Sequence, residues 1–170
     1  VKEALELQEN GAVASAMVMS PTGAPLLSYW DLLPVFRDLL DTGPLTRRLF
    51  CGLLLTPLCR LPRGTDKNSR LVGAVPGSFF MIKVAAFSEE EIRQLFDEKI
   101  FLYYEEKTLG QKLRARGKKE VLVTDENYVH AHSVSVSKSI ARMWSRQKIL
   151  HESKLYYYKQ YLHAGPLMMC

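Results

Sequence analysis

Helix-forming and small apolar residues occur in separate blocks at the start of the chain. Residues 2–9, KEALELQE, favour a helix, and Asn10-Gly11 behind them is a common helix stop. The small apolar run at 12–19, AVASAMVM, predicts a buried strand. Residues 20–23, SPTG, predict a turn after it.

The region 31–59 is the most hydrophobic of the chain. Leucines and one phenylalanine recur at helical spacing, at positions 32, 33, 36, 39 and 40. Gly43-Pro44 breaks that pattern, and a second leucine run follows at positions 45, 49, 53 and 54. We therefore expect two helices joined at Gly43-Pro44, followed by a polar loop at 61–70.

The second half of the chain alternates short apolar runs with helical patterns. Residues 71–87 combine a short strand, a Pro-Gly break and a further apolar run. Ser88, followed by three glutamates, is typical of an N-capped helix start. Residues 120–124 and 127–132 predict strands or extended segments. A long helical pattern with one apolar side runs from 135 to about 162.

Strands mixed with helices predict the α/β class, with too few strands for a full doubly wound sheet. A chain of 170 residues with 47% hydrophobic and 24% charged residues fits one folded domain, residues 1–170, and excludes a disordered or collagen-like chain. Its first residue is Val1, and a helical pattern begins at once, so we expect it to start inside a larger protein.

Charge and cysteine content narrow the class of protein only modestly. The three cysteines are irregularly spaced without a Cys-x-x-Cys pair, which favours free thiols in a reducing cytoplasm over a disulfide scaffold or structural zinc. The net charge of +5 and the pI of about 9.1 permit anionic partners without choosing among them. The longest apolar run, LFCGLLLTPLC from Leu49, is too short to span a bilayer and predicts a buried or interfacial helix.

Three segments occur in the order and spacing of family 2 glycosyltransferases. They are GAVPGSFFMIKVAAF at 73–87, FDEKIFLYYEEKTLGQKLRARGKKEVLV at 96–123, and YVHAHSVS at 128–135. AVASAMVMSPTGAP, residues 12–25, also resembles the segment that follows the donor-site strand in that family. The occurrence of these segments in this order is more specific for the family than any single motif. Together the segments cover nearly the whole chain.

The resemblance implies a partial GT-A (nucleotide-diphospho-sugar transferase) fold, with a mixed sheet flanked by helices and a long C-terminal helix. Family members carry a donor-binding first half with an Asp-x-Asp motif, and this sequence contains no Asp-x-Asp. The chain therefore resembles the C-terminal, acceptor-side half of the catalytic domain. The implied activity is inverting, metal-dependent transfer of a sugar from a nucleotide-sugar to a saccharide or lipid-linked acceptor in surface polysaccharide biosynthesis.

The resemblance places the catalytic base in the pair Glu105-Glu106. Inverting transfer needs a carboxylate that takes the acceptor hydroxyl proton, and Glu106 matches the base position, with Glu105 as the alternative. Glu106 precedes Leu109 and Leu113 by three and seven residues, so it projects toward their buried face, where its proton affinity would be raised. Alternatively, both glutamates only complement the helix dipole. Glu106 replaces the family's usual Asp, and Thr108 stands where many relatives have a second acid.

The resemblance also implies a metal site and a substrate loop. His130 matches a family position that helps to ligate a divalent metal, and imidazole with carboxylates suits Mn²⁺ better than Mg²⁺. His130 and His132 would share one strand face with Tyr128; a hydrogen-bonded histidine without metal is the alternative. Gly77-Ser78 matches the segment near the acceptor and donor sugar, where the alternative is an ordinary turn.

The last helix carries a basic stripe of Lys138, Arg142 and Arg146. This stripe suits anionic lipid at the inner face of the membrane, and a solvated helix face is the alternative. A second hypothesis therefore makes the chain a non-catalytic module that binds a membrane or a partner. No nucleic-acid motif accompanies the basic residues. An exposed sheet edge, where donor-half strands would pair, favours self-association.

Overall fold

The computed structural model describes residues 1–42, 44–50, 68–100, 102–130 and 143–165. This part of the chain contains six α-helices and four strands, with a 3-10 turn at Val84–Ala86. The helices are α1 (Lys2–Leu7), α2 (Val35–Thr42), α3 (Pro44–Phe50), α4 (Glu89–Arg93), α5 (Glu105–Ala115) and α6 (Met143–Tyr161). The strands are β1 (Gly11–Met19), β2 (Ser69–Val72), β3 (Met81–Ile82) and β4 (Lys119–Val129).

The four strands form one mixed sheet in the order β2-β4-β1-β3. β1 and β4 are parallel, and the flanking strands β2 and β3 run antiparallel to them. β1 is buried from Gly11 to Val18, as its small apolar sequence predicts. Helices cover both faces: α5 packs Leu109 and Leu113 against Val13, while α1 packs Leu5 on the opposite face. The α/β class with a mixed sheet and flanking helices is thus confirmed.

β4 joins two segments whose separate patterns predict strands at 120–124 and 127–132. The pairing with β1 slips between them, since Ala16 pairs with Val123 and Met17 pairs with Asn127. The intervening residues therefore form an irregular bulge within one strand that ends at Val129. Residues 131 and 132 lie outside the described residues.

Two predicted boundaries are wrong, the first because of a distant strand partner and the second because of a neighbouring proline. The polar loop expected at 61–70 ends earlier, because Ser69 and Arg70 pair with β4 as part of strand β2. The helix expected to include Leu32 and Leu33 begins only at Val35, since a proline at 34 disfavours helical geometry in the residue before it. The apolar run after Gly77 also contributes only the two-residue strand β3.

The remaining helix predictions are confirmed where the structure describes them. Ser88 caps α4 in a capping box, accepting from the Glu91 amide while the Glu91 side chain accepts from the Ser88 amide. α6 covers the predicted helix from Met143 onward, and its earlier part, including Lys138 and Arg142, lies outside the described residues. None of the described helices is long and apolar enough to cross a bilayer.

Candidate carboxylate site

Two consecutive left-handed residues set the start of helix α5. Tyr103 and Tyr104 both have φ of 63°, a conformation that is uncommon for bulky side chains. Tyr104 is held there by its hydroxyl, which donates to Asp38 Oδ2 at 2.6 Å, and by its ring, which lies 5.1 Å from the ring of Tyr157. This turn places Glu105 directly at the N-terminus of α5.

Glu105 and Glu106 are half-buried and line a cleft of about 290 Å³. Burial, followed by the negative charge of Glu106, raises the pKa of Glu105 to about 7. Burial also raises the pKa of Glu106, although backbone amides and the Lys107 ammonium oppose that rise. The cleft wall also includes Trp30, Asp41, Thr42, Tyr103, Tyr104, Lys107 and Leu150.

The structure brings Gly77 into contact with Glu106. The Gly77 amide donates to Glu106 Oε1 at 3.3 Å, across 29 residues of chain. A Cβ at Gly77 would lie 3.4 Å from that same oxygen, so the loop backbone rests against the carboxylate. Ser78 faces elsewhere: its hydroxyl and that of Tyr128 on β4 lie 2.7 Å apart.

His130 lies at the end of β4 and is half-buried. Its amide donates to the carbonyl of Met19 at 2.9 Å, so it continues the pairing of the two parallel strands. Within the described ranges, no group of three His, Cys, Asp or Glu side chains is arranged to hold a metal ion. His132 lies outside the described residues.

Glu120 is a third carboxylate near this site, and sequence reasoning did not select it. Glu120 is only 1% exposed, and its Oε2 accepts a hydrogen bond from the Val75 amide at 2.7 Å. Its Oε1 is buried and has no hydrogen-bond partner among the described residues. Burial, reinforced by the charge of Glu106, raises the pKa of Glu120 to about 8. The sequence carries one signal for its burial. Glu120 and Leu122 are two positions apart, so their side chains lie on the same face of the strand.

Asp38 forms a buried polar network behind the cleft. This carboxylate is fully buried and accepts from the hydroxyls of Tyr104 and Tyr158, at 2.6 and 2.8 Å, and from the ammonium of Lys107. The network joins α2, the start of α5 and α6, so it fixes the helices that form the cleft. Its partners lie 66 to 120 residues away, and the local sequence around Asp38 gives no signal for them.

Chemically, a carboxylate with a raised pKa on a partly apolar cleft wall is suited to accept a proton near neutral pH. The Glu105-Glu106 pair meets this description, and its loop contact fixes one oxygen of Glu106. Comparisons of the chain with protein-family models, curated proteins and solved structures find no match.

Proposed function

We propose that this chain is the acceptor-side portion of an inverting family 2 glycosyltransferase with a GT-A fold. The observation that carries the proposal is the hydrogen bond from the Gly77 amide to Glu106 Oε1. It joins the two motifs that the resemblance treats as substrate loop and catalytic base. The donor nucleotide-sugar would be held by a donor-binding half with an Asp-x-Asp motif.

In this proposal Glu106 acts as the general base. The acceptor hydroxyl oxygen attacks the anomeric carbon of the donor sugar while its proton passes to the Glu106 carboxylate, and the bond to the nucleoside diphosphate breaks. The configuration at the anomeric carbon inverts because the attack occurs opposite the leaving group. Glu105 lies beside Glu106, and the two carboxylates disfavour ionisation of each other. Glu105 is the alternative base.

The cleft beside the pair suits a saccharide acceptor. Trp30 and Tyr103 contribute aromatic surface, while Asp41 and Thr42 contribute polar atoms to the same wall. Such a mixture of apolar surface and a few polar groups is usual for small-molecule sites. His130 is the candidate metal ligand of this chain, and the other ligands of a Mn²⁺ or Mg²⁺ ion would come from the donor-binding half.

The decisive experiment is Glu106→Gln in a full-length protein that contains this chain together with a donor-binding half. We expect sugar transfer to fall by about 10²–10⁴-fold, because glutamine cannot accept the proton. Binding of the nucleotide-sugar, followed by calorimetry, should be unchanged. The exposed Glu98→Gln is the matched control for the loss of one carboxylate.

Glu105→Gln in the same protein separates the two candidate bases. If Glu106 is the base, Glu105→Gln retains transfer with a changed pH profile, because it removes a neighbouring negative charge. Transfer that survives Glu106→Gln and is lost in Glu105→Gln would move the assignment to Glu105. Full transfer in both variants would refute the proposed mechanism.

A further inference from the structure

The outward surface of helices α2 and α3 is unusually apolar for a surface in contact with solvent. Phe36 is 67% exposed, Leu45 70% and Leu49 67%, and Leu39 is also exposed. The other exposed side chains of the two helices, where described, are Arg37, Thr42 and Arg48. We call these seven residues the hairpin face.

The orientation of α2 is fixed by contacts on its inner side. Val35 and Asp38 are its buried residues, and Asp38 accepts three hydrogen bonds from the cleft network. Rotating α2 to bury Phe36 would therefore expose Val35 and break the Asp38 network. α3 is tied to α2 by the Thr46 hydroxyl, which donates to the Leu40 carbonyl at 2.7 Å. The apolar face thus stays outward while the core remains intact.

The charged side chains on the hairpin face itself are of one sign, and the acid beside it, Asp41, lies on the adjoining cleft wall. The charged members of the hairpin face are both arginines, whereas the acids of α2 are the buried Asp38 and the half-buried Asp41 on the cleft wall. The sequence that follows Phe50, CGLLLTPLCRLPR at 51–63, continues the same composition with five leucines, two cysteines, two arginines and no acid. Apolar residues flanked by arginine are the composition of interfacial helices on anionic lipid.

We propose that the hairpin face docks the protein onto an anionic phospholipid surface. Phe36, Leu39, Leu45 and Leu49 would enter the boundary between headgroups and acyl chains, while Arg37 and Arg48 contact lipid phosphates. A second copy of the chain fits this face less well, because a symmetric contact of the hairpin face with itself brings arginines of like charge together.

Docking would also place the cleft near the lipid. Asp41 and Thr42 in the last turn of α2 line the cleft, so its wall continues directly into the hairpin face. This inference does not depend on the proposed transfer reaction, and its test measures binding alone.

The test is flotation of the 170-residue chain with vesicles of phosphatidylcholine, alone or mixed with phosphatidylglycerol. We expect binding to the mixed vesicles that weakens as salt rises, since the Debye length falls from about 10 Å at 0.1 M to about 3 Å at 1 M. Leu45→Ser combined with Leu49→Ser should lower the partition coefficient by about tenfold or more. Phe36→Ser on the other helix is an independent apolar variant and should act in the same direction.

Arg37→Gln combined with Arg48→Gln should weaken binding to the mixed vesicles and reduce its salt dependence. Leu7→Ser is the matched control, because Leu7 is 78% exposed on α1, away from the hairpin face. It should leave binding unchanged, and circular dichroism should show every variant folded.

Three results would overturn the proposal. The first is no binding of the unaltered chain to either vesicle, and the second is equal loss of binding in Leu7→Ser and in the leucine pair. The third is a dimer in vesicle-free solution that Leu45→Ser with Leu49→Ser converts to a monomer, because the occupant would then be a second copy.

Discussion

Replacing Glu120 by glutamine should stabilise the fold at alkaline pH and have little effect at acidic pH. Glutamine has nearly the same shape, and its side-chain carbonyl can accept the Val75 amide that now donates to Glu120 Oε2 at 2.7 Å. The substitution therefore retains the hydrogen bond and removes the ionisable group, while its NH2 group takes the buried position of Oε1, an effect that does not change with pH.

The magnitude follows from the pKa of Glu120, which burial raises from 4.5 to about 8. A raised pKa in the folded state means that the native protein binds the proton more tightly than the unfolded chain does. The contribution of Glu120 to the free energy of unfolding is therefore complete below about pH 4.5 and is lost as pH rises to about 8. Each pH unit between these values corresponds to about 1.4 kcal/mol, so the whole window amounts to at most about 5 kcal/mol.

The assay is urea unfolding of the unaltered chain and of Glu120→Gln between about pH 5 and about pH 8.5. The difference between the two free energies of unfolding isolates Glu120, because Glu105 and Glu106 are present in both proteins. We expect this difference to grow with pH in favour of Glu120→Gln. Parallel stability curves for the two proteins would refute the reasoning. The exposed Glu98→Gln is the control.

Three further substitutions probe the contacts that hold the site, each by urea unfolding at one pH. Gly110→Ala should cost about 3 kcal/mol or more, because its Cβ would lie 2.1 Å from the Gly73 carbonyl oxygen. Asp38→Asn should cost about 3–5 kcal/mol, since it leaves the buried Lys107 ammonium without its ionic partner. Ser88→Ala should cost about 1 kcal/mol by removing the cap of α4.

Matched control variants separate these effects from nonspecific destabilisation of the fold. Gly165→Ala adds a methyl group where no atom lies within 4 Å, so its stability should match the unaltered chain. Asp125→Asn removes an exposed carboxylate on β4, and Ser88→Asn preserves a capping side chain. If Asp38→Asn cost no more than Asp125→Asn, the buried network would not stabilise the helices as argued. If Ser88→Ala and Ser88→Asn behaved alike, the capping interpretation would be wrong.

Sequence patterns predicted the elements whose signals are local. The apolar run of β1 and the capping residue Ser88 each depend on neighbours within a few positions. The resemblance selected Gly77 and Glu106 separately, as substrate segment and base, and only the structure shows that these two residues are in contact. Ser69 and Arg70, the first two residues of β2, were placed in a loop because their pairing partners on β4 lie some 50 residues away, whereas Leu71 and Val72 fall in the segment for which a short strand was predicted.

Only the tertiary structure decided the environment of the carboxylates. The sequence by itself established that Glu105, Glu106 and Glu120 sit in an α/β chain, the first two at a helix start and the third at a strand start. Burial of Glu120 under the Val75 backbone, and closure of the Asp38 network by Tyr104 before α5 and Tyr158 of α6, required segments distant along the chain. The pKa of a carboxyl depends on how much water its neighbours exclude, and those neighbours are brought together only by folding.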